Sequence, residues 1–220
     1  MTITLRPGTT VMFTGDSITD SQRLESEDGL GFGYPLRIAG EWGFRHPDRP
    51  VTWLNTGIGG HKTMDLEVRW QTDVLDARPD VVSILVGVND MGWHTIDPDG
   101  HVIPAEDFAA AYDRLLAPLA AAGTELILIE PFLLPISGSV QAGDTHVDEE
   151  IRKEWRADLD PKIQVVRDLA RTYGAHLLAA DGMFAELSAA TGPEYWAADG
   201  VHPTPAGHAA LAAAWLRLVE

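Results

Sequence analysis

Short runs of β-branched and aliphatic residues alternate with longer amphipathic stretches along this chain, and that alternation confines it to an α/β fold. Residues 11–14, 51–55, 81–87 and 126–130 read as strands, with 175–179 a weaker fifth. The run Val81-Val-Ser-Ile-Leu-Val-Gly87 is nearly unbroken in apolar character, which suits a strand covered on both faces of a parallel sheet. Residues 34–42, 63–77, 105–122, 148–173, 182–190 and 205–218 read as helices. In the second of these, Leu66, Trp70, Val74 and Ala77 fall on one apolar face. Pro205 fits the first position of the last helix, with Thr204 as its N-cap. Right-handed crossovers between such strands give a three-layer α/β sandwich. The expectation is a central five-stranded parallel sheet in the flavodoxin-like order 2-1-3-4-5.

The 220 residues suit one domain, 1–220, with no internal repeat, low-complexity tract or linker. Residues 20–33 and 131–147 read as long loops. Within the second, Phe132-Leu133-Leu134 suits a lid or an oligomer contact. The formal net charge of −17 argues against nucleic-acid partners and against docking on an anionic membrane. Cysteine is absent, which removes disulfides, a thiol nucleophile and cysteine-based zinc sites. No apolar run approaches the ~20 residues of a membrane span, and the first residues lack a secretory pattern, so a cytoplasmic protein is expected.

In the expected strand order the first three strands are neighbours, and ligands bind beyond their carboxyl ends. Those ends carry Gly15-Asp16-Ser17, Asn55-Thr-Gly-Ile-Gly-Gly60 and Gly87-Val-Asn89-Asp90, so three polar or glycine-rich turns converge. Asp199-Gly-Val-His202 precedes the last helix. Alone, Ser17 or Asp16 reads as a helix N-cap. Together, Ser17, His202 and Asp199 supply a nucleophile, its base and the group that orients the base. Acyl transfer also needs donors aimed at an oxyanion. The Ser17 N–H, the Gly60 backbone and the Asn89 amide are the candidates, with Asp90 holding its local turn. The remaining histidines show no ligand spacing, so neither metal nor cofactor is expected.

These four blocks, in this order and spanning nearly the whole chain, resemble the SGNH, or GDSL, hydrolases. The resemblance implies Ser17 as nucleophile, Asp199 and His202 as its partners, and Ser17, Gly60 and Asn89 as oxyanion donors. Within that family the Thr14-Gly-Asp-Ser-Ile-Thr-Asp20 opening and the Val201-His-Pro-Thr-Pro-Ala-Gly-His208 ending are similar to intracellular acetyl-xylan esterases. Such enzymes deacetylate short xylo-oligosaccharides, and some form homo-oligomers. An aromatic residue that precedes the acid in some of them is replaced by Ala197-Ala198, and Tyr195-Trp196 lie slightly earlier. Trp93 and His94 follow Asn89 and suit a sugar subsite, with Tyr195 and Trp196 as further substrate contacts. The expected substrate is a small acylated carbohydrate. The competing readings are a lysophospholipase or thioesterase with a longer acyl pocket, and a non-catalytic carbohydrate-binding module.

Overall fold

Side chains alternate across the first strand, β1 (Thr10–Gly15), so that Val11 and Phe13 join one buried apolar cluster and Met12 another. A strand buried on both faces needs cover on both, and this sets the layers of the computed structural model, which describes residues 2–92, 95, 100–142 and 145–220. The remaining strands are β2 (Thr52–Asn55), β3 (Val81–Leu85), β4 (Glu125–Ile129), β5 (Val140–Ala142), β6 (Thr145–Val147) and β7 (His176–Leu178). Five of them form one parallel sheet in the order β2-β1-β3-β4-β7, while β5 and β6 make a separate antiparallel hairpin. Counted within the sheet alone, this is the 2-1-3-4-5 order read from the sequence. Phe13 lies opposite Asn55 on one side and Ser83 on the other, which aligns the ends of the first three strands.

The helices are α1 (Ser17–Asp20), α2 (Tyr34–Arg45), α3 (Thr63–Trp70), α4 (Ala105–Ala122), α5 (Glu149–Tyr173), α6 (Ala180–Thr191) and α7 (Pro205–Trp215). α2 packs on α7 over one face of the sheet, and α3, α4 and α5 lie side by side over the other. Thr204 caps α7 as expected, its hydroxyl accepting the Gly207 N–H at 3.2 Å.

Two expectations are corrected. The helix from Thr63 widens into a π turn over Gln71–Leu75, and Ala77 lies beyond it, exposed. The apolar face therefore stops at Val74, because the wider turn rotates the following residues out of phase. In the supposed loop 131–147, Phe132, Leu133 and Leu134 are core residues at 0%, 4% and 3% exposure. They are neither lid nor interface: burial of such side chains stabilises the fold by about 1.5–3 kcal/mol each. The rest of that segment holds the hairpin. Arg152 of α5, itself buried, donates to the carbonyls of Ile136, Gly138 and Val147, and its bonds to Ile136 and Val147 satisfy buried backbone groups.

Candidate active site

The site starts with a glycine that nothing else can replace. Gly15 closes β1 at φ +149°, and a Cβ there would lie 1.9 Å from the Leu85 carbonyl oxygen. The chain then turns at once into α1. Asp16 is its N-cap, with Oδ1 accepting the Ile18 N–H at 3.0 Å. Ser17 is the first residue of that helix, where backbone N–H groups have no intrahelical acceptor.

The turn before α7 brings the other residues in. The Ser17 hydroxyl lies 2.9 Å from His202 Nε2, and His202 Nδ1 lies 2.7 Å from Asp199 Oδ2. The second carboxylate oxygen, Oδ1, accepts the N–H groups of Val201 at 2.9 Å and His202 at 2.7 Å. Three donors thus converge on Asp199. Burial pushes this carboxyl upward, but those hydrogen bonds from His202 and Val201 outweigh it and hold Asp199 below its ordinary range. The same bond to Asp199 raises the His202 imidazole, against the lowering effect of burial.

Asn89 sits on the short 3-10 turn Val88–Asp90 that follows β3. Its amide donates to the His61 carbonyl at 3.1 Å, which fixes the side chain and leaves one amide hydrogen for another acceptor. Gly60, immediately before His61, adopts φ +79°. In its turn the His61 N–H bonds the Ile58 carbonyl, while among the described residues no acceptor takes the Gly60 N–H. A Cβ built on neighbouring Gly59 would lie 3.8 Å from the Ser17 Cβ, so this turn flanks the serine.

Asp90 departs from its expected role. Rather than holding its own turn, it accepts the Thr63 hydroxyl at 2.6 Å and the Thr63 N–H at 3.1 Å, at the start of α3. Burial raises its carboxyl to about 6, against the hydrogen bonds from Thr63. Asp16 is fully buried, its Oδ2 has no partner among the described residues, and desolvation pushes it up to about 7.

Asn55 escaped the sequence reading as a site residue. Its buried amide donates to the carbonyls of Thr19 at 2.7 Å and Leu30 at 2.8 Å, and its oxygen accepts the Gly57 N–H at 2.9 Å. One side chain thereby joins α1, the following loop and the glycine turn. The only local signal is Asn followed two residues later by Gly, an Asx-turn pattern.

The substrate-contact candidates fare unevenly. Trp93 and His94 lie outside the described residues. The Trp196 indole donates to the Thr191 hydroxyl at 2.8 Å, and its ring faces Phe184 and packs against the core. Tyr195, 56% exposed, stands edge-on to Trp196 and presents its ring to solvent. Among the described residues no cluster of His, Asp and Glu is arranged to hold a metal ion, and no helix is long and apolar enough to cross a membrane.

The model of the GDSL-like Lipase/Acylhydrolase family matches residues 13–210. The chain is 30% identical over 219 residues to an acetylxylan esterase of Geobacillus stearothermophilus, covering 96% of this chain and 93% of that protein. It is similar in structure to Axe2, an acetylxylan esterase from the same organism, with a TM-score of 0.81, 31% identity, and 97% and 94% of the two chains covered. It is also similar to a protein described as a GDSL-like lipase from Parabacteroides merdae ATCC 43184, with a TM-score of 0.86, 28% identity, and 99% and 98% covered. With a family match across most of the chain and a relative aligned over nearly all of it, the chain belongs to the GDSL-like lipase/acylhydrolase family and is a carboxylic ester hydrolase.

Proposed function

We propose that this hydrolase is a serine esterase that removes O-acetyl groups from carbohydrate, with short acetylated xylo-oligosaccharides as its substrate class. The observation that carries the reading is the unbroken line from Ser17 Oγ to His202 Nε2 to Asp199 Oδ2. The likeness to an acetylxylan esterase supports the substrate class.

In this reading His202 Nε2 takes the proton of Ser17 as Oγ attacks the acetyl carbonyl carbon. Asp199 accepts the Nδ1–H, which fixes the tautomer and stabilises the imidazolium. Negative charge moves to the former carbonyl oxygen, where the Ser17 N–H, the Gly60 N–H and the free Asn89 amide hydrogen receive it. The intermediate collapses and breaks the bond to the sugar oxygen, which leaves with the proton from His202. The acetyl group remains on Ser17. Water, deprotonated by His202, then attacks the acetyl-serine and releases acetate. No cofactor enters these steps. Trp93, His94 and Tyr195 are the sugar contacts of the same proposal, with Trp196 behind Tyr195. A cytoplasmic location and a homo-oligomeric assembly also belong to it.

The test is acetate release from acetylated xylo-oligosaccharides beside other acetylated sugars, together with p-nitrophenyl esters of increasing acyl length. Acetyl is expected as the preferred acyl group, and Ser17→Ala is expected to be inactive but folded. An optimum at long chains would replace this reading with a lysophospholipase or thioesterase. Failure of a fluorophosphonate to label wild-type Ser17 would favour a non-catalytic binding module.

A further inference from the structure

One guanidinium in α3 bonds two turns of the site directly and meets the third, which carries Asn89, through His61. The Arg69 side chain is only 10% exposed. Its Nη1 donates to the Thr56 carbonyl at 2.7 Å, its Nη2 to the Gly15 carbonyl at 3.3 Å and its Nε to His61 Nδ1 at 3.2 Å. Gly15 lies two residues before Ser17, and Thr56 opens the turn that ends at Gly60. His61 carries the carbonyl that holds the Asn89 amide. The charge is paired with Asp73 at 3.0 Å, one helical turn along.

We propose that Arg69 is a positioning residue for ester hydrolysis: it sets the spacing of the turns that carry Ser17, Gly60 and Asn89, and so holds the oxyanion donors in register. The proposal rests on the esterase reading above. The physical reason is the shape of the group. A guanidinium presents its donors in one rigid plane, so three acceptors bound to it are fixed relative to one another as well as to Arg69. Displacing an oxyanion donor by a fraction of an ångström weakens it most where charge develops, in the transition state. Burial, and next the neighbouring Arg69 cation, lower the His61 imidazole. Its ring therefore stays neutral, and Nδ1 remains an acceptor for the Arg69 Nε–H. Lysine would keep the charge and lose the fork.

The experiment is steady-state hydrolysis of p-nitrophenyl acetate by the wild-type chain, Arg69→Lys, Arg69→Gln, Asn89→Ala and the double variant Arg69→Gln with Asn89→Ala. Circular dichroism at the assay temperature reports folding. In both Arg69 variants kcat is expected to fall about tenfold or more while KM moves less than about threefold. Because both residues act on one set of donors, the double variant is expected within about threefold of the slower single variant. A merely structural role would let the two effects multiply. Multiplied effects, or an Arg69→Lys kcat within about threefold of wild type, would overturn the proposal. Should Arg69→Gln fail to fold, Arg69→Lys takes its place in the same cycle. A wild-type chain that releases no p-nitrophenol overturns the esterase reading and this proposal with it. An active wild type with multiplied effects overturns only the role of Arg69.

Discussion

Asp90 accepts both the hydroxyl and the backbone N–H of Thr63, 27 residues earlier in the chain, and so binds the turn bearing Asn89 to the N-terminus of α3. Both residues are buried, at 2% and 0% exposure. Asp90→Ala would leave two buried donors without an acceptor. It is expected to lower stability by on the order of 3 kcal/mol in urea denaturation. Asp90→Asn, which keeps one acceptor oxygen, should lose distinctly less. Equal midpoints for the alanine variant and wild type would show that the contact contributes nothing.

Asn89→Ala removes the amide whose second hydrogen, once His61 is bound, meets no acceptor among the described residues. If that hydrogen meets the oxyanion, kcat falls roughly 10²–10³-fold, about 2.7–4 kcal/mol of transition-state stabilisation. Rate constants with p-nitrophenyl acetate decide it. A loss smaller than about threefold would make Asn89 a turn residue only.

The acid limb of activity should belong to His202, which must be neutral to accept the Ser17 proton. Its hydrogen bond to Asp199 raises the imidazole above its ordinary value of about 6.5. Activity is therefore low below that raised value, climbs as pH passes through it, and is level above. Asp199→Asn should shift the limb to lower pH and reduce the plateau by up to about 10⁴-fold, since an amide favours the wrong tautomer. A limb that stays in place would assign it to another group.

Asp16 should leave a mark on stability. Its carboxyl ionises near 3.8 when the chain is unfolded but is raised to about 7 in the folded state by burial. Between those values the folded state binds a proton that the unfolded state has released. Its contribution to stability therefore falls as pH rises from about 4 to about 7 and is constant above. Asp16→Asn retains the oxygen that caps Ile18 and cannot ionise. Its Tm relative to wild type should rise between pH 5 and pH 8, and parallel calorimetric curves would contradict the assignment.

Periodicity and turn chemistry set the layers of this fold. Patterned strands such as Val81–Leu85 can bury both faces only in a covered parallel sheet, and the glycines at the ends of β1 and β3 mark where the chain must turn. The placement of Ser17, Asp199 and His202 at element ends was legible for the same reason, because strand ends and helix starts have local signals. Tertiary structure alone decided what those signals do not encode. Phe132–Leu134 reads as loop because no period marks it, and only the neighbouring helices and sheet make it core. Asp90 reads as a turn former, yet its partner is Thr63 of another element. Arg69 lies off the apolar face read for its helix, and the carbonyls of Gly15 and Thr56 converge on it. Hydrogen bonds between distant segments depend on where three dimensions bring a donor and acceptor together, and spacing along one chain carries no record of that.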